Sequence, residues 1–263
     1  MEVHHHPKVE KKNFKEYFLE GLMIFLAVML GFFAESLRES LLEKERVHGY
    51  MEEMVENLKA DTLRFNHALS YNENASPYVD SFRYEIDSAA EGKIHSNRLY
   101  FLALSSGQFS RVLFKESAIS ELKNSGSIRL INDRNLSDQI LEYYDRWVKA
   151  ADKNVDGLNE ASDELNHAEQ DFFYGQYFEK LIKSETTFSY DPDTSINNYI
   201  KQIKERNPPL VLLNTNPADL KKLNNKVIAT ESALHGYNSF LRLDLNLADS
   251  LILKIRKEYH LEN

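Results

Sequence analysis

Cysteine is absent from the 263 residues, which excludes disulfide scaffolds, cysteine-ligated zinc and thiol nucleophiles while leaving the redox compartment open. Glycine and proline are scarce, with 9 and 6 copies; so few chain breakers disfavour a many-stranded architecture and favour long helices. There is no basic excess. The 32 Lys and Arg face 41 Asp and Glu, a net charge of −9, and no basic cluster is interleaved with aromatics, so nucleic acid is not an expected partner. Also missing are a G-x-S-x-G nucleophile turn, an H-E-x-x-H zinc helix and a glycine loop able to cradle phosphates. These absences predict a protein without enzymatic activity and without a cofactor.

What the sequence does contain is one apolar run near its start. Phe18 to Ala34 spans 17 residues with a single charge, Glu20, and Gly21 to Ala34 carries none. A membrane helix needs about 20 mostly apolar residues, with about 17 as the lower limit. Tyr17 and Phe18 suit the headgroup zone at one end, and Leu37, Leu41 and Leu42 extend an apolar stripe at the other. A buried helix of a soluble core would show a polar face, which this run lacks. A cleaved signal peptide would show an A-x-A site, and none follows. Residues 17–36 are therefore read as an uncleaved transmembrane helix, preceded by a short tail over residues 1–16. No second apolar run of about 18 residues occurs, so a single crossing is expected.

Lys8, Lys11, Lys12 and Lys15 precede the run, against Arg38, Lys44 and Arg46 after it. This bias puts the N-terminus in the cytoplasm and the remainder, in a bacterial inner membrane, in the periplasm. His4, His5 and His6 lie in the tail. Three neighbouring imidazoles can hold a transition metal loosely, but a folded site needs ligands converging from separate elements. A solvated interfacial tail is the favoured reading, with a metal- or proton-responsive element and a tag remnant as alternatives. Within the span, Ala27 and Gly31 form a small-x-x-x-small pair suited to close helix packing. Glu20, at the cytoplasmic edge, either snorkels to the headgroups or lines an ion path between subunits, as in ion-driven stator units.

Beyond the span, Leu41, Val47, Met51, Met54, Val55, Leu58 and Phe65 recur at helical steps, which predicts a juxtamembrane helix over residues 37–72. The stretch Tyr71–Pro77 reads as a loop, with Ser76 capping a new helix that begins at Pro77 and carries Val79, Phe82, Tyr84 and Ile86. Residues 73–263 are expected to form a periplasmic helical domain. After Gly92, Ser96 is placed as the cap of a short helix. A further helix should end at Gly126 in a left-handed conformation, after which Ile128, Leu130 and Ile131 return to the core. The next should start after Asp133 and put Leu136, Ile140, Tyr143, Tyr144 and Trp147 on one face.

The leader Met1-Glu-Val-His-His-His6 and the segment Ser117–Tyr144 together resemble a group of uncharacterised single-pass membrane proteins from Bacteroidota. Those proteins open on M-E-V-H-H-H or a similar leader and carry a pattern x-Y-x-x-L-K-S-S-G-x-L-x-L-I-x-(N/D)…L…Y-Y. Ile119 stands where the group often has an aromatic residue, and the similarity covers about an eighth of the chain. Because the group belongs among domains of unknown function, the resemblance implies inner-membrane topology, a helical exterior and native histidines. It transfers no catalytic residue.

The last third predicts one long helix, with Asn216 as cap, Pro217 in the first turn and Asp219 near the positive end of the dipole. Leu220, Val227, Leu234, Leu241, Leu245, Ala248, Ile252, Ile255 and Tyr259 form its seam. Asn224, Glu231 and Asn238 fall on that seam and are read as partly exposed, with a register-setting role as the sharper alternative. So long a rod needs a partner: the juxtamembrane helix, residues 136–182 or another subunit. Two Glu-x-x-His pairs, Glu45/His48 and Glu164/His167, invite a di-iron reading. With 26 Glu and 9 His, roughly 0.9 such pairs arise by chance, so the motif carries little weight.

The expected molecule is thus all-α, with a transmembrane helix continuing into a bundle of long helices. The expected function is a non-enzymatic oligomeric scaffold or accessory subunit of an envelope complex, whose partners are the bilayer and further copies or other envelope proteins. An ion-conducting assembly using Glu20 is the alternative, and a metal enzyme the third reading.

Overall fold

The computed structural model describes residues 13–178 and 209–262. It is all-helical, and its one β-type feature among the described residues is an isolated bridge between Phe173 and Leu212. Helix α1 (Phe14–Ala90) runs for 77 residues, about 115 Å at 1.5 Å per residue. It starts where Asn13 donates its backbone N–H to the Glu16 carboxylate at 3.2 Å, and ends before Gly92, whose φ of 91° a side chain would resist. There follow α2 (Ser96–Ser106), α3 (Ser117–Asn124), α4 (Arg134–Glu142), α5 (Lys149–Glu169) and, after residue 208, α6 (Pro217–Tyr259).

Two apolar cores sit one above the other along α1. In the lower core, Met51, Met54, Leu58 and Phe65 of α1 meet Ile119, Leu122, Ile140, Leu241 and Ile255. The upper core joins Val79, Phe82 and Ile86 to Leu99, Tyr100, Phe173, Leu223 and Val227. Helix α6 lines both, and its most extensive packing is against α1, with α5 second. Two of the partners expected for it, the juxtamembrane helix and the segment 136–182, therefore pack on it.

The local signals at the helix starts are met. Asn216 Oδ1 accepts from the N–H groups of Ala218 and Asp219, and Asp133 Oδ1 from those of Asn135 and Leu136. Gly126 takes φ 71° between α3 and a 3-10 turn over Ser127–Leu130.

Several expectations require correction. There is no break at Tyr71–Pro77: α1 passes straight through, and residue 72, the expected end of the juxtamembrane helix, lies inside it. An interior proline costs a helix about 3 kcal/mol, but Pro77 faces solvent and α6 packs alongside as a splint, with Asn72, Glu73 and Arg83 all bonded to it. Ser96 is the first residue of α2, and the capping position belongs to His95, whose ring is turned to Glu85 instead. Leu41 and Tyr84 are exposed rather than packed. Leu130 likewise faces outward, because the 3-10 turn rotates it away while Ile131 enters the core. Trp147 is displaced from the buried face by Val148. The cause is a π-helical turn over Tyr143–Val148, whose extra residue per turn shifts the inward face by one position.

Candidate functional site

The anchor residues come first along the chain. Phe14–Ala90 contains an 18-residue window of mean hydropathy 2.0 with none of it buried, so the N-terminal part of α1 is long and apolar enough to cross a membrane. Ala27 and Gly31 lie on this exposed stretch with nothing against Gly31. At about 100° per residue, Glu20 falls within about 40° of both, which puts all three on one face. His4, His5 and His6 lie outside the described residues.

The two Glu-x-x-His pairs serve other ends. His48 is near Glu52 on α1. Glu164 pairs with Lys226 at 2.7 Å, and His167 Nδ1 bonds the Asp163 carbonyl one turn back. Among the described residues no three His, Asp or Glu side chains gather into a group able to hold a metal.

The lower core encloses a different cluster that the sequence reading missed. Asp244 of α6 is fully buried, and neither of its carboxylate oxygens has a hydrogen-bond partner. Burial, reinforced by the charge of Asp152, pushes its carboxyl up to about 7. The π turn places Tyr143 and Tyr144 nearby, with both hydroxyls buried and unpaired. Their phenols are held well above the ordinary range by burial, then by the charges of Tyr144 and Asp244 on Tyr143 and of Asp61 on Tyr144. Tyr237 is anchored, its hydroxyl accepting the Val112 N–H at 3.0 Å. Asp61 is better satisfied: it accepts from Arg64 Nη1 at 2.7 Å and from the Lys115 N–H at 3.3 Å. Burial nonetheless outweighs these bonds and raises its carboxyl. The one sequence signal for Asp244 is its place on the three- and four-residue seam between Leu241 and Ala248.

Near the upper core, α2, α5 and the segment after α5 surround a cavity of about 520 Å³. Tyr100 fixes its surroundings, donating to the Val211 carbonyl at 2.8 Å and accepting the Tyr174 N–H at 2.9 Å. Asn97 Oδ1 accepts the Leu210 N–H at 2.7 Å. The lining includes Leu104, Gln108, Asn166, Glu169, Phe173 and Phe178. Glu169 Oε1 is buried and unpartnered, and burial pushes the carboxyl up to about 8. Nothing in the local sequence marks this glutamate, since it ends a charged helix whose other carboxylates face solvent.

No family model, curated protein or solved structure matches the chain.

Proposed function

We propose that the protein is a non-enzymatic, single-pass protein of a bacterial inner membrane, its N-terminus cytoplasmic and its helical bundle periplasmic. There it acts as an oligomeric scaffold or as an accessory subunit of an envelope complex. The carrying observation is the continuity of α1. The same unbroken helix that presents the exposed apolar stretch also supplies Val47 to Ala89 to both cores. A bundle built on a helix that continues into the bilayer is held at a fixed height and orientation, as a scaffold requires. Between Leu37 and Arg46 the helix is exposed except for partly covered Glu43, about 15 Å of stalk at 1.5 Å per residue. The lysine bias before the span supports the orientation.

The absence of cysteine makes single-cysteine reporters unambiguous. With a membrane-impermeant maleimide, Leu253→Cys on the exposed face of α6 is expected to react in cells with a permeabilised outer membrane. Val9→Cys is expected to react only after lysis; the reverse pattern would sink the orientation. Extraction in mild detergent then tests the role. A particle that is a small multiple of 30.6 kDa or that carries stoichiometric companions supports the proposal, and a lone monomer with none removes it.

A second reading is favoured by the shared face of Glu20, Ala27 and Gly31: packed anchors forming an ion path. Equal proton flux into liposomes for the wild type and Glu20→Gln would eliminate it.

A further inference from the structure

The cavity beside α2 and α5 lies within the size range of small-molecule sites, about 300–1,000 Å³. Its polar content is one-sided. Gln108, Asn166 and Gln170 contribute amides and Glu169 a carboxyl, while no lysine, arginine or histidine is among the described lining residues. The other described lining residues are glycines and apolar or aromatic side chains, Phe173, Tyr174 and Phe178 among them.

We propose that this cavity binds a small organic cation, an ammonium group on an apolar body about the size of an aromatic ring, with the ammonium on Glu169 and the body against Phe173, Tyr174 and Phe178.

Three features carry the assignment. Glu169 Oε1 is a buried acceptor without a donor, a state that costs free energy until a donor arrives. An ammonium supplies both the N–H groups and the opposite charge, and a charge-assisted bond is about twice as strong as a neutral one. Aromatic rings attract cations through their negative faces, so the aromatic lining of the cavity favours the same charge. An anion would find no compensating cation among the described lining residues, and a neutral ligand would bring no charge to draw the proton off the Glu169 carboxyl. The inference is independent of the scaffold proposal, since it needs neither the membrane nor a second subunit.

Calorimetric titration of the full chain in detergent micelles tests it, with phenethylammonium as probe, 2-phenylethanol as its uncharged counterpart and phenylacetate as the anion. Like a lysine, the amine stays protonated below about pH 10, so its own charge is constant. The titratable groups among the described lining residues are Glu169 of α5 and Tyr174 of the following segment; α2 contributes only Ala103 and Leu104. Because the empty carboxyl holds its proton up to about pH 8, binding must release it. Affinity for the amine is therefore expected to rise about 50-fold between pH 6 and pH 8, with proton release read from buffers of different ionisation enthalpy. The alcohol and the acid should bind at least tenfold more weakly than the amine, by roughly one charge-assisted bond. Glu169→Gln should erase both the preference and the pH slope. No binding of the amine, a flat pH profile, or equal binding of amine and alcohol would overturn the assignment. The last three readings use unaltered protein, so they decide the matter even where the variant folds poorly.

Discussion

The side-chain amide of Asn72 in α1 donates to Asn238 Oδ1 in α6 at 2.8 Å, across 166 residues of sequence. The same amide reaches the Ser110 carbonyl at 3.2 Å, and its oxygen accepts the Ser110 N–H at 2.7 Å. Two further bonds continue the row: Arg83 to Glu231 at 2.8 Å and Asn224 to Asp87 at 2.7 Å. The polar residues of the α6 seam, expected to be partly exposed, thus each find a partner on α1, and Asn224 and Asn238 are buried. Apolar seams tolerate sliding by a turn, whereas a buried amide pair is satisfied in one register alone.

Removing one member of that pair leaves the other buried without its bond, which costs about 1–3 kcal/mol. Asn238→Ala is expected to lower stability by that amount in denaturant unfolding of the full chain. Asn72→Ala should cost more, because the Ser110 loop loses its anchor too. The double variant should cost less than the sum of the two, since the second substitution no longer orphans a partner.

The tyrosines of the lower core offer an opposite pair of outcomes. Tyr143 has a buried hydroxyl with no partner, so Tyr143→Phe removes a desolvated polar atom and nothing else. Its effect should be neutral or a gain of about 1 kcal/mol. Tyr237→Phe deprives the Val112 N–H of its acceptor and should lose about 1–3 kcal/mol. Thermal unfolding of the two variants side by side checks the difference in sign.

Local chemistry made the helix ends at Asn216, Asp133 and Gly126 legible, because a cap or a left-handed turn depends on a few adjacent residues. The apolar stretch was legible for the same reason. The helix through Tyr71–Pro77 was not, since turn residues dominate locally and the force that overrides them comes from α6, far away in sequence. Asn224, Glu231 and Asn238 show the same limit: their spacing was visible, their partners on α1 were not. The π turn left no local mark, and with it went the placement of Trp147. Asp244 and Glu169 became notable only once burial and missing partners were on view.

Pro77 is where the sequence and the fold disagree most openly, and the disagreement can be measured. Its ring removes the backbone donor that would bond the Glu73 carbonyl, yet the residue is exposed and its surroundings are helical. Pro77→Ala should restore that bond and raise stability by about 1–3 kcal/mol, less whatever the more flexible unfolded chain gives back. Slower amide exchange from residue 77 to 81 would accompany it. A loss of stability would mean that α6 packs against the proline itself.

Asp244 should make the bundle more stable in mild acid than in mild base. In the unfolded chain an aspartate gives up its proton near pH 4, whereas the buried carboxyl of Asp244 keeps it to about 7. Between those values the folded state holds a proton that the unfolded state has lost, so stability falls as pH rises through the window and levels off above it. The penalty approaches about 4 kcal/mol at most, at 1.36 kcal/mol per pKa unit. Asp61 and Glu169, also raised, tilt the curve the same way, so the informative quantity is the difference between wild type and Asp244→Asn. That variant cannot ionise; it should gain more over wild type at pH 8 than at pH 5 in thermal unfolding of the full chain. A gain equal at both pH values would show that Asp244 titrates in the folded protein as it does in water, and that solvent reaches the lower core.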